Sequence, residues 1–138
     1  MEQSIMKARS LLDTGDYTCA VCRGETVYTA TERGVKPLLS WLDAGLDLTG
    51  FAAADRVVGR ATAFLYCLLG VTYVYSQVMS RPAAQVLKDH GIRYDAGLLV
   101  DGIINRRKTG PCPFEDAVLA IQDPREALAA IRAKLAKM

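Results

Sequence analysis

The sequence has a single histidine, His90, and this scarcity excludes several catalytic centres. A Ser-His-Asp triad or a Cys-His dyad would have to use that residue. His90 stands next to Gly91, which predicts the last turn of a helix, where an imidazole interacts favourably with the helix dipole. We therefore expect His90 to have a structural role.

A metal signature is missing as well. The four cysteines include one closely spaced pair, Cys19 and Cys22, but a structural zinc site needs four ligands and no second short-spaced pair is present. Positions three apart in a strand point to opposite faces, so these two thiols should neither bind one ion nor form a disulfide. We expect no metal and no cofactor.

The chain also lacks a strong charge and a glycine-rich phosphate loop. Seventeen basic and fifteen acidic residues give a net charge of +2, too near balance to predict binding to polymeric nucleic acid or to a membrane surface. The glycines match no dinucleotide or phosphate-loop fingerprint. The 138 residues fit a single domain, 1–138, with a core that needs no disulfide. Residues 1–7 lack an apolar signal-peptide core, so we expect a cytoplasmic protein with reduced thiols.

One long uncharged stretch, between Arg60 and Arg81, raises the question of a membrane span. Gly70 divides it into a half with helical spacing of apolar residues and a half rich in β-branched and aromatic residues. A helix, a glycine stop and a buried strand explain the stretch better than a membrane-spanning segment.

The remaining pattern predicts alternating helices and strands. Helices are expected over residues 3–14, around 35–42, from an N-cap at Asp55 onwards, after an N-cap at Ser80, and over 113–121 and 124–136. Strands are expected over 17–22 and 26–30 as a hairpin, over 71–75 and over 92–94, with 47–51 as a connector. This order predicts an α/β fold, a small mixed sheet with helices on both faces.

The segment 105–116 combines cations, a turn and a thiol at a helix start. Cys112 occupies the N-cap position before Pro113, and Glu115 falls where a capping-box acid would reach back to it. The helix N-terminus favours the thiolate, and the nearby cations Arg106, Arg107 and Lys108 would either act in the same direction or hold an anionic ligand. The alternative is a buried or tolerated cysteine, because residues 123–126 repeat the pattern without a thiol.

Three predicted helix starts offer unpaired backbone N–H groups that bind anions readily. We take the polar residues and glycines at and near these starts as candidate ligand-binding residues: Asp55, Arg56, Gly59, Arg60, Ser80, Arg81, Asn105, Arg106, Thr109, Gly110 and Glu115. The alternative interpretation is that the arginines are exposed solubilising charges.

Residues 55–61, 103–106 and 112–115 resemble an uncharacterised domain-of-unknown-function family with the cytidine deaminase-like fold, and the match runs over nearly the whole chain. The resemblance implies a three-layer α/β/α domain around a mixed sheet. Zinc deaminases carry His-x-Glu at one helix start and Pro-Cys-x-x-Cys at the next. Here the helix opening assigned to Asp55 has neither His nor Glu, and Ala83 and Val86 replace the two cysteines. Zinc-dependent deamination is therefore not expected.

These observations favour a metal-free domain that binds a nucleotide-like or other phosphorylated small ligand where helix N-termini converge. One alternative is a thiol-dependent enzyme with Cys112 as nucleophile, Asn105 as an oxyanion donor and Asp55 or Glu115 handling protons. Another alternative is an interaction module that forms a homodimer to bury excess apolar surface.

Overall fold

The computed structural model describes residues 2–32, 34–103 and 112–137. Within these ranges the chain forms six helices and five strands. The helices are α1 (Glu2–Thr14), α2 (Lys36–Asp43), α3 (Arg60–Leu69), α4 (Arg81–Asp89), α5 (Pro113–Ala117) and α6 (Pro124–Ala136). The strands are β1 (Cys19–Arg23), β2 (Thr26–Ala30), β3 (Ala52–Val58), β4 (Tyr73–Ser80) and β5 (Arg93–Val100).

The five strands form one mixed sheet in the order β2-β1-β3-β4-β5. Strand β1 is antiparallel to β2 and β3, whereas β3, β4 and β5 run parallel. On one face α1 packs against β1 and β3, with Ala8 and Leu12 against Ala54. Helices α3 and α4 lie over the larger apolar core, to which Ala53 contributes from the same strand. The predicted α/β fold, with helices on both faces of a mixed sheet, is confirmed.

Several helices begin and end where local signals predict. The Ser80 hydroxyl accepts a hydrogen bond from Ala83 N at 3.1 Å, and the Asp123 carboxylate caps α6 by accepting one from Glu126 N at 3.1 Å. Gly70 ends α3 with φ +89°, a left-handed conformation that suits glycine. The hairpin is also confirmed, because β1 and β2 pair on either side of a turn that contains Gly24 at φ +59°.

The prediction that Asp55 caps a helix is wrong, because Asp55 lies within the central strand β3 and the helix begins at Arg60. Strand β3 opens with three alanines, Ala52 to Ala54, which have low β-propensity. Helices cover both faces of this part of the sheet, so the three alanines are all buried and the sequence shows no alternation that would mark a strand. Residues 47–51 are the connector that we predicted, but the strand that follows was missed.

Other boundaries differ from the predictions. Strands β4 and β5 extend to Ser80 and Val100, beyond the predicted 71–75 and 92–94. The charged and glycine-containing sequence of β5 hides it, since this strand lies at an edge of the sheet and is largely exposed. Helix α5 ends at Ala117 rather than at residue 121. None of the helices in the described ranges is both long and apolar enough to cross a membrane.

Candidate functional site

A cavity of about 330 Å³ lies at the carboxyl end of β3, beside the first residues of α3 and α5. Its lining is mostly apolar, with a few polar side chains that include Asp55, Thr62, Cys112 and Glu115. Strand β3 and helix α3 follow one another along the chain, whereas α5 comes more than forty residues later. The cavity therefore depends on how α5 is held against the start of α3.

Asp55 is the most buried carboxyl group in the cavity lining, with 8% of its surface exposed. Its Oδ2 accepts a hydrogen bond from the Tyr66 hydroxyl at 2.7 Å, and its Oδ1 accepts one from Arg56 N at 2.8 Å. Burial raises the pKa of Asp55 to about 7, although these hydrogen bonds act in the opposite direction. Asp55 can therefore change its charge near neutral pH.

The polar cluster around Asp55 extends into β1. Cys19 pairs with Asp55 in the antiparallel register of β1 and β3, and it is also buried. Burial, and secondarily the Asp55 charge, raise the pKa of the Cys19 thiol. The same two causes, in the same order, raise the pKa of the Tyr66 hydroxyl. Cys19 and Tyr66 are thus neutral neighbours of the carboxyl group, not charges that compete with it, and Tyr66 donates a hydrogen bond to it.

Glu115 caps α3, although it belongs to α5. Its Oε2 accepts a hydrogen bond from Arg60 N at 2.9 Å and a longer one from Ala61 N at 3.4 Å. Gly59 leaves room for this approach, because a Cβ at that position would lie 1.5 Å from Glu115 Oε1. Burial raises the pKa of Glu115, and the α3 backbone donors oppose that rise.

The predicted capping box at Cys112 is therefore wrong, because Glu115 bonds to a different backbone group from the one predicted. The Glu115 carboxylate reaches α3 and not the backbone N–H of Cys112, which donates instead to Ile103 O at 2.9 Å. Gly59, the N-cap residue of α3, has no side chain with which to cap that helix, so the carboxylate from α5 takes this position.

Arg60 makes a second connection between α3 and the region of α5, in which α3 supplies the side chain. Its guanidinium donates from Nε to Val118 O at 3.1 Å and from Nη2 to Ile121 O, both beyond the end of α5. We call Gly59, Arg60 and Glu115 the α3–α5 clamp. The clamp joins the start of α3 to α5 and to the turn after it, so it fixes one wall of the cavity.

Two more of the predicted arginines, Arg56 and Arg81, are also engaged with the protein. The Arg56 guanidinium donates to the carbonyl oxygens of Leu12 at 3.1 Å, Gly15 at 3.2 Å and Tyr17 at 2.8 Å, which ties the end of α1 to β3. Arg81 forms an exposed ion pair with Asp101 at 2.9 Å. The guanidinium groups of Arg56, Arg60 and Arg81 thus have structural partners in this conformation.

The structure brings together only some of the predicted ligand-binding residues. Those that line the cavity are Asp55, Arg56, Gly59 and Glu115, together with the candidate nucleophile Cys112. Arg60 adjoins them through the clamp. Ser80 is the N-cap of α4 and Arg81 is its first residue, so both lie at the carboxyl end of β4, but neither lines the cavity. Asn105, Arg106, Thr109 and Gly110 lie outside the described residues.

Cys112 occupies the predicted N-cap position of α5, with Pro113 at the first helical position. The thiol is half-buried and lines the cavity. It makes no capping hydrogen bond to α5, all five of whose residues are described. The sulfur therefore borders the cavity without serving as the helix cap.

Sequence reasoning missed Thr62 and Tyr66. Both lie in α3, and their polar atoms are buried beside the apolar residues that suggested an ordinary core helix. A buried tyrosine hydroxyl needs a hydrogen-bond partner, so Tyr66 was a signal that a polar group lay nearby. Its eleven-residue separation from Asp55 gave no indication of which group that was.

His90 ends α4, its Nδ1 lies 2.9 Å from Val86 O, and its ring packs edge-on against Phe64. The predicted position of His90 at a helix end is confirmed. Within residues 2–32, 34–103 and 112–137, no three His, Cys, Asp or Glu side chains gather in a way that could hold a metal ion.

These features define a small α/β domain with a ligand-sized cavity at the carboxyl end of a parallel strand. The chain belongs to the DUF1893 family, since the family model described as "TM1506: Domain of unknown function (DUF1893)" matches residues 7–135. The crystal structure of a DUF1893 family protein (TM1506) from Thermotoga maritima is similar to the whole chain. The TM-score is 0.87 at 22% sequence identity, with 100% of this chain and 92% of that chain covered. No curated protein matches the chain.

Proposed function

We propose that this chain binds a nucleotide-like or other phosphorylated small ligand in the cavity between α3 and α5. The observation that carries the proposal is the cavity itself, at the carboxyl end of β3 and with a volume of about 330 Å³. In open α/β sheets ligands bind beyond the carboxyl ends of the strands, and small-molecule sites have volumes from about 300 to 1,000 Å³.

The lining supports a ligand with both a ring and polar groups. Val35, Ile103 and Phe114 offer apolar surface, while Asp55 and Thr62 offer hydrogen-bonding groups. Such a mixture of apolar walls and a few polar contacts is typical of sites that orient a small molecule.

We propose that the phosphoryl end of the ligand contacts the basic segment between Ile103 and Cys112. Ile103 and Cys112 flank that segment, both line the cavity, and Cys112 N donates to Ile103 O at 2.9 Å. The described residues on either side of the segment therefore both lie at the cavity. We propose Asn105, Arg106, Thr109 and Gly110 as contacts of the phosphoryl group, on the strength of their residue types and these flanking positions.

We further propose that the domain has a cytidine deaminase-like fold without the zinc chemistry, and that it acts in the cytoplasm. The three-layer arrangement supports the first point, as do the buried apolar residues Ala83 and Val86, which the resemblance aligns with the two zinc-binding cysteines of the deaminases. All four cysteines are free, as is usual in a reducing compartment, which supports the second point.

Calorimetric titration with nucleoside monophosphates and sugar phosphates tests ligand binding. We expect a dissociation constant below the millimolar range for wild type and several-fold weaker binding for Thr62→Val, which removes a hydroxyl from the cavity at nearly constant volume. Thr26→Val makes the same change at the exposed first residue of β2 and should leave the affinity unchanged. Absence of binding to every compound at millimolar concentration would contradict the proposal.

The second candidate function is a thiol-dependent enzyme, which the position of Cys112 on the cavity favours. Asp55 or Glu115 would handle protons, with Asn105 as the oxyanion donor. Iodoacetamide labelling near neutral pH, resolved by mass spectrometry, tests it. Cys67 is the internal control, because it is also half-buried and burial raises its pKa to about 12. Labelling of Cys112 no faster than that of free cysteine would argue against this candidate.

A homodimeric interaction module is the third candidate, and the β5 edge of the sheet favours it. Leu98 is 58% exposed on this edge strand, and Tyr94 and Leu99 are each 36% exposed. Exposed edge strands pair readily with another strand. Light scattering on wild type and Leu98→Lys tests the point: a dimer that dissociates in the variant supports it, and a wild-type monomer at high concentration contradicts it.

A further inference from the structure

We propose that two copies of this chain pair their β5 strands, antiparallel and about a two-fold axis at Ala96, so that their sheets become one continuous sheet. The inference rests on the homodimer, the third candidate function above, and names the register of the contact. Strand β5 is an edge of the sheet, and no described strand pairs with its outer side. Backbone N–H and C=O groups on that side are therefore open to another strand.

Apolar side chains are exposed on both faces of β5. Of the six large apolar residues that are exposed in the described ranges, three belong to this strand: Tyr94 at 36%, Leu98 at 58% and Leu99 at 36%. Leu99 lies beside Met79 of the core in the register of β4 and β5, whereas Leu98 lies beside Val78 on the opposite face. A surface packed onto the sheet would cover one face only. A strand added at the edge brings neighbours to both faces.

The residues of β5 do not alternate strictly between the two faces. Asp95 lines a groove with α1, so Ala96 points to the opposite side, where it packs against the core under α4. Leu99 points to that same side, although it lies three residues further along the strand. The ladder between β4 and β5 skips Gly97 and Gln77, and a Cβ added to Gly97 would lie 2.8 Å from Gln77 O. Gly97 therefore acts as an extra residue in the strand, as in a β-bulge.

The extra residue makes β5 complementary to itself. Opposite residues of two paired strands lie on the same face of a sheet. With the axis at Ala96, three pairs form between the copies and the members of each share a face: Arg93 with Val100, Tyr94 with Leu99, and Asp95 with Leu98. A strictly alternating strand of this length would place the members of each of these pairs on opposite faces. A second copy is therefore the partner that fits this edge over the length of the strand.

The charged residues of β5 do not obstruct the pairing. Asp95 Oδ2 accepts a hydrogen bond from the Tyr73 hydroxyl at 2.6 Å, and the guanidinium carbon of Arg93 lies 5.8 Å from the centre of the Tyr73 ring. Both side chains thus lean onto β4, away from the outer side of β5. Residues 96–100 contain no charge and no proline, two features that commonly keep an edge strand from pairing.

Engineered disulfides test this register. Variants are oxidised, and the linked peptides are identified by mass spectrometry so that links through the four native cysteines are recognised. Ala96→Cys should form a covalent dimer, because the two copies of residue 96 face each other about 4.5–5.5 Å apart between their Cα atoms, which a disulfide spans. The double variant Tyr94→Cys/Leu99→Cys should also form one. Each of its single variants is a matched control and should form no link through the new thiol, since residue 94 faces residue 99.

Light scattering before oxidation separates this inference from the homodimer itself. A wild-type dimer in which the double variant links residue 94 to residue 99 supports the inference. A wild-type dimer in which the double variant does not link, or in which either single variant links to its own copy, overturns the register while the homodimer stands. A wild-type monomer at high concentration contradicts both. The double variant decides even if Ala96→Cys does not fold, because Tyr94 and Leu99 are exposed.

Discussion

Glu115 Oε2 accepts a hydrogen bond from Arg60 N at 2.9 Å, so a carboxylate of α5 occupies the first turn of α3. The start of a helix attracts anions, and here the protein supplies its own. A phosphorylated ligand would have to compete with Glu115 for these donors. We therefore propose that the phosphoryl group contacts residues between Ile103 and Cys112 rather than the start of α3.

Removal of the Glu115 carboxylate should destabilise the fold. Glu115→Ala leaves the first N–H groups of α3 without their cap, which costs about 1–2 kcal/mol of unfolding free energy in comparable caps, and Glu115→Gln should lose less. Urea denaturation measures the difference. Glu126→Ala, an exposed glutamate in the first turn of α6, is the matched control and should change stability by less than about 0.5 kcal/mol. A Glu115→Ala protein as stable as that control would contradict the capping role.

Substitution of Gly59 should act through the same contact. A Cβ added there would meet Glu115 Oε1 at 1.5 Å, so Gly59→Ala must displace the carboxylate. We expect a loss similar to that of Glu115→Ala, and a double variant that is less destabilised than the sum of the two. Gly102→Ala is the control, because nothing described lies within 4 Å of its added Cβ. Additive losses would show that the two residues act independently.

Arg60 should contribute more to stability than the surface arginines. Its side chain is 9% exposed and donates to two carbonyl oxygens, so Arg60→Ala should cost about 2–3 kcal/mol. Arg132 pairs with Asp43 at 2.7 Å on the surface, and Arg132→Ala should cost less than about 1 kcal/mol. Thermal or urea unfolding of both variants checks the ranking, and the reverse order would refute the structural role of the clamp.

The buried Asp55 predicts a pH dependence of stability. Its pKa is about 7 in the folded protein, above the value of about 3.9 in an unfolded chain, so between these values the folded state holds the extra proton. Stability should therefore fall as pH rises from about 4 to about 7 and then level off. The neighbouring titratable groups Cys19 and Tyr66 have raised pKa values and stay neutral there.

Urea denaturation of wild type and Asp55→Asn across that range isolates this contribution. The stability of Asp55→Asn should fall much less over this pH range. A smaller fall of the same sign should remain, because the pKa of Glu115 is also raised. Asp47→Asn is the control: hydrogen bonds from Thr49 lower the pKa of Asp47, so its effect has the opposite sign and appears at more acidic pH. Identical slopes in wild type and Asp55→Asn would show that Asp55 is not the titrating group.

The fold was predictable where the signal is local. The amphipathic α1, the hairpin around Gly24 and the caps at Ser80 and Asp123 all depend on residues close in sequence, and each is confirmed. Strand β3 was not predictable, because its alanines lie between two layers of helices and only the assembled core favours an extended conformation there.

Several residues of the candidate site were predictable from the sequence, but their arrangement in space was not. Asp55, Cys112 and Glu115 were selected as residues at helix starts, and they do line one cavity. Yet Asp55 reaches the cavity from a strand, and Glu115 caps a helix 55 residues earlier in the chain. No local pattern records a contact of that range, so the connection between α3 and α5 emerges only from tertiary packing.

Mapping of backbone amide chemical shifts during titration with CMP tests most directly whether a nucleotide binds in the cavity between α3 and α5. We expect saturable changes at Asp55, Thr62, Cys112 and Glu115, which line the cavity, and none at Gly24 in the distant hairpin turn. Failure of CMP, AMP and a sugar phosphate to shift these four amides at millimolar concentration, or changes confined to residues away from the cavity, would contradict it.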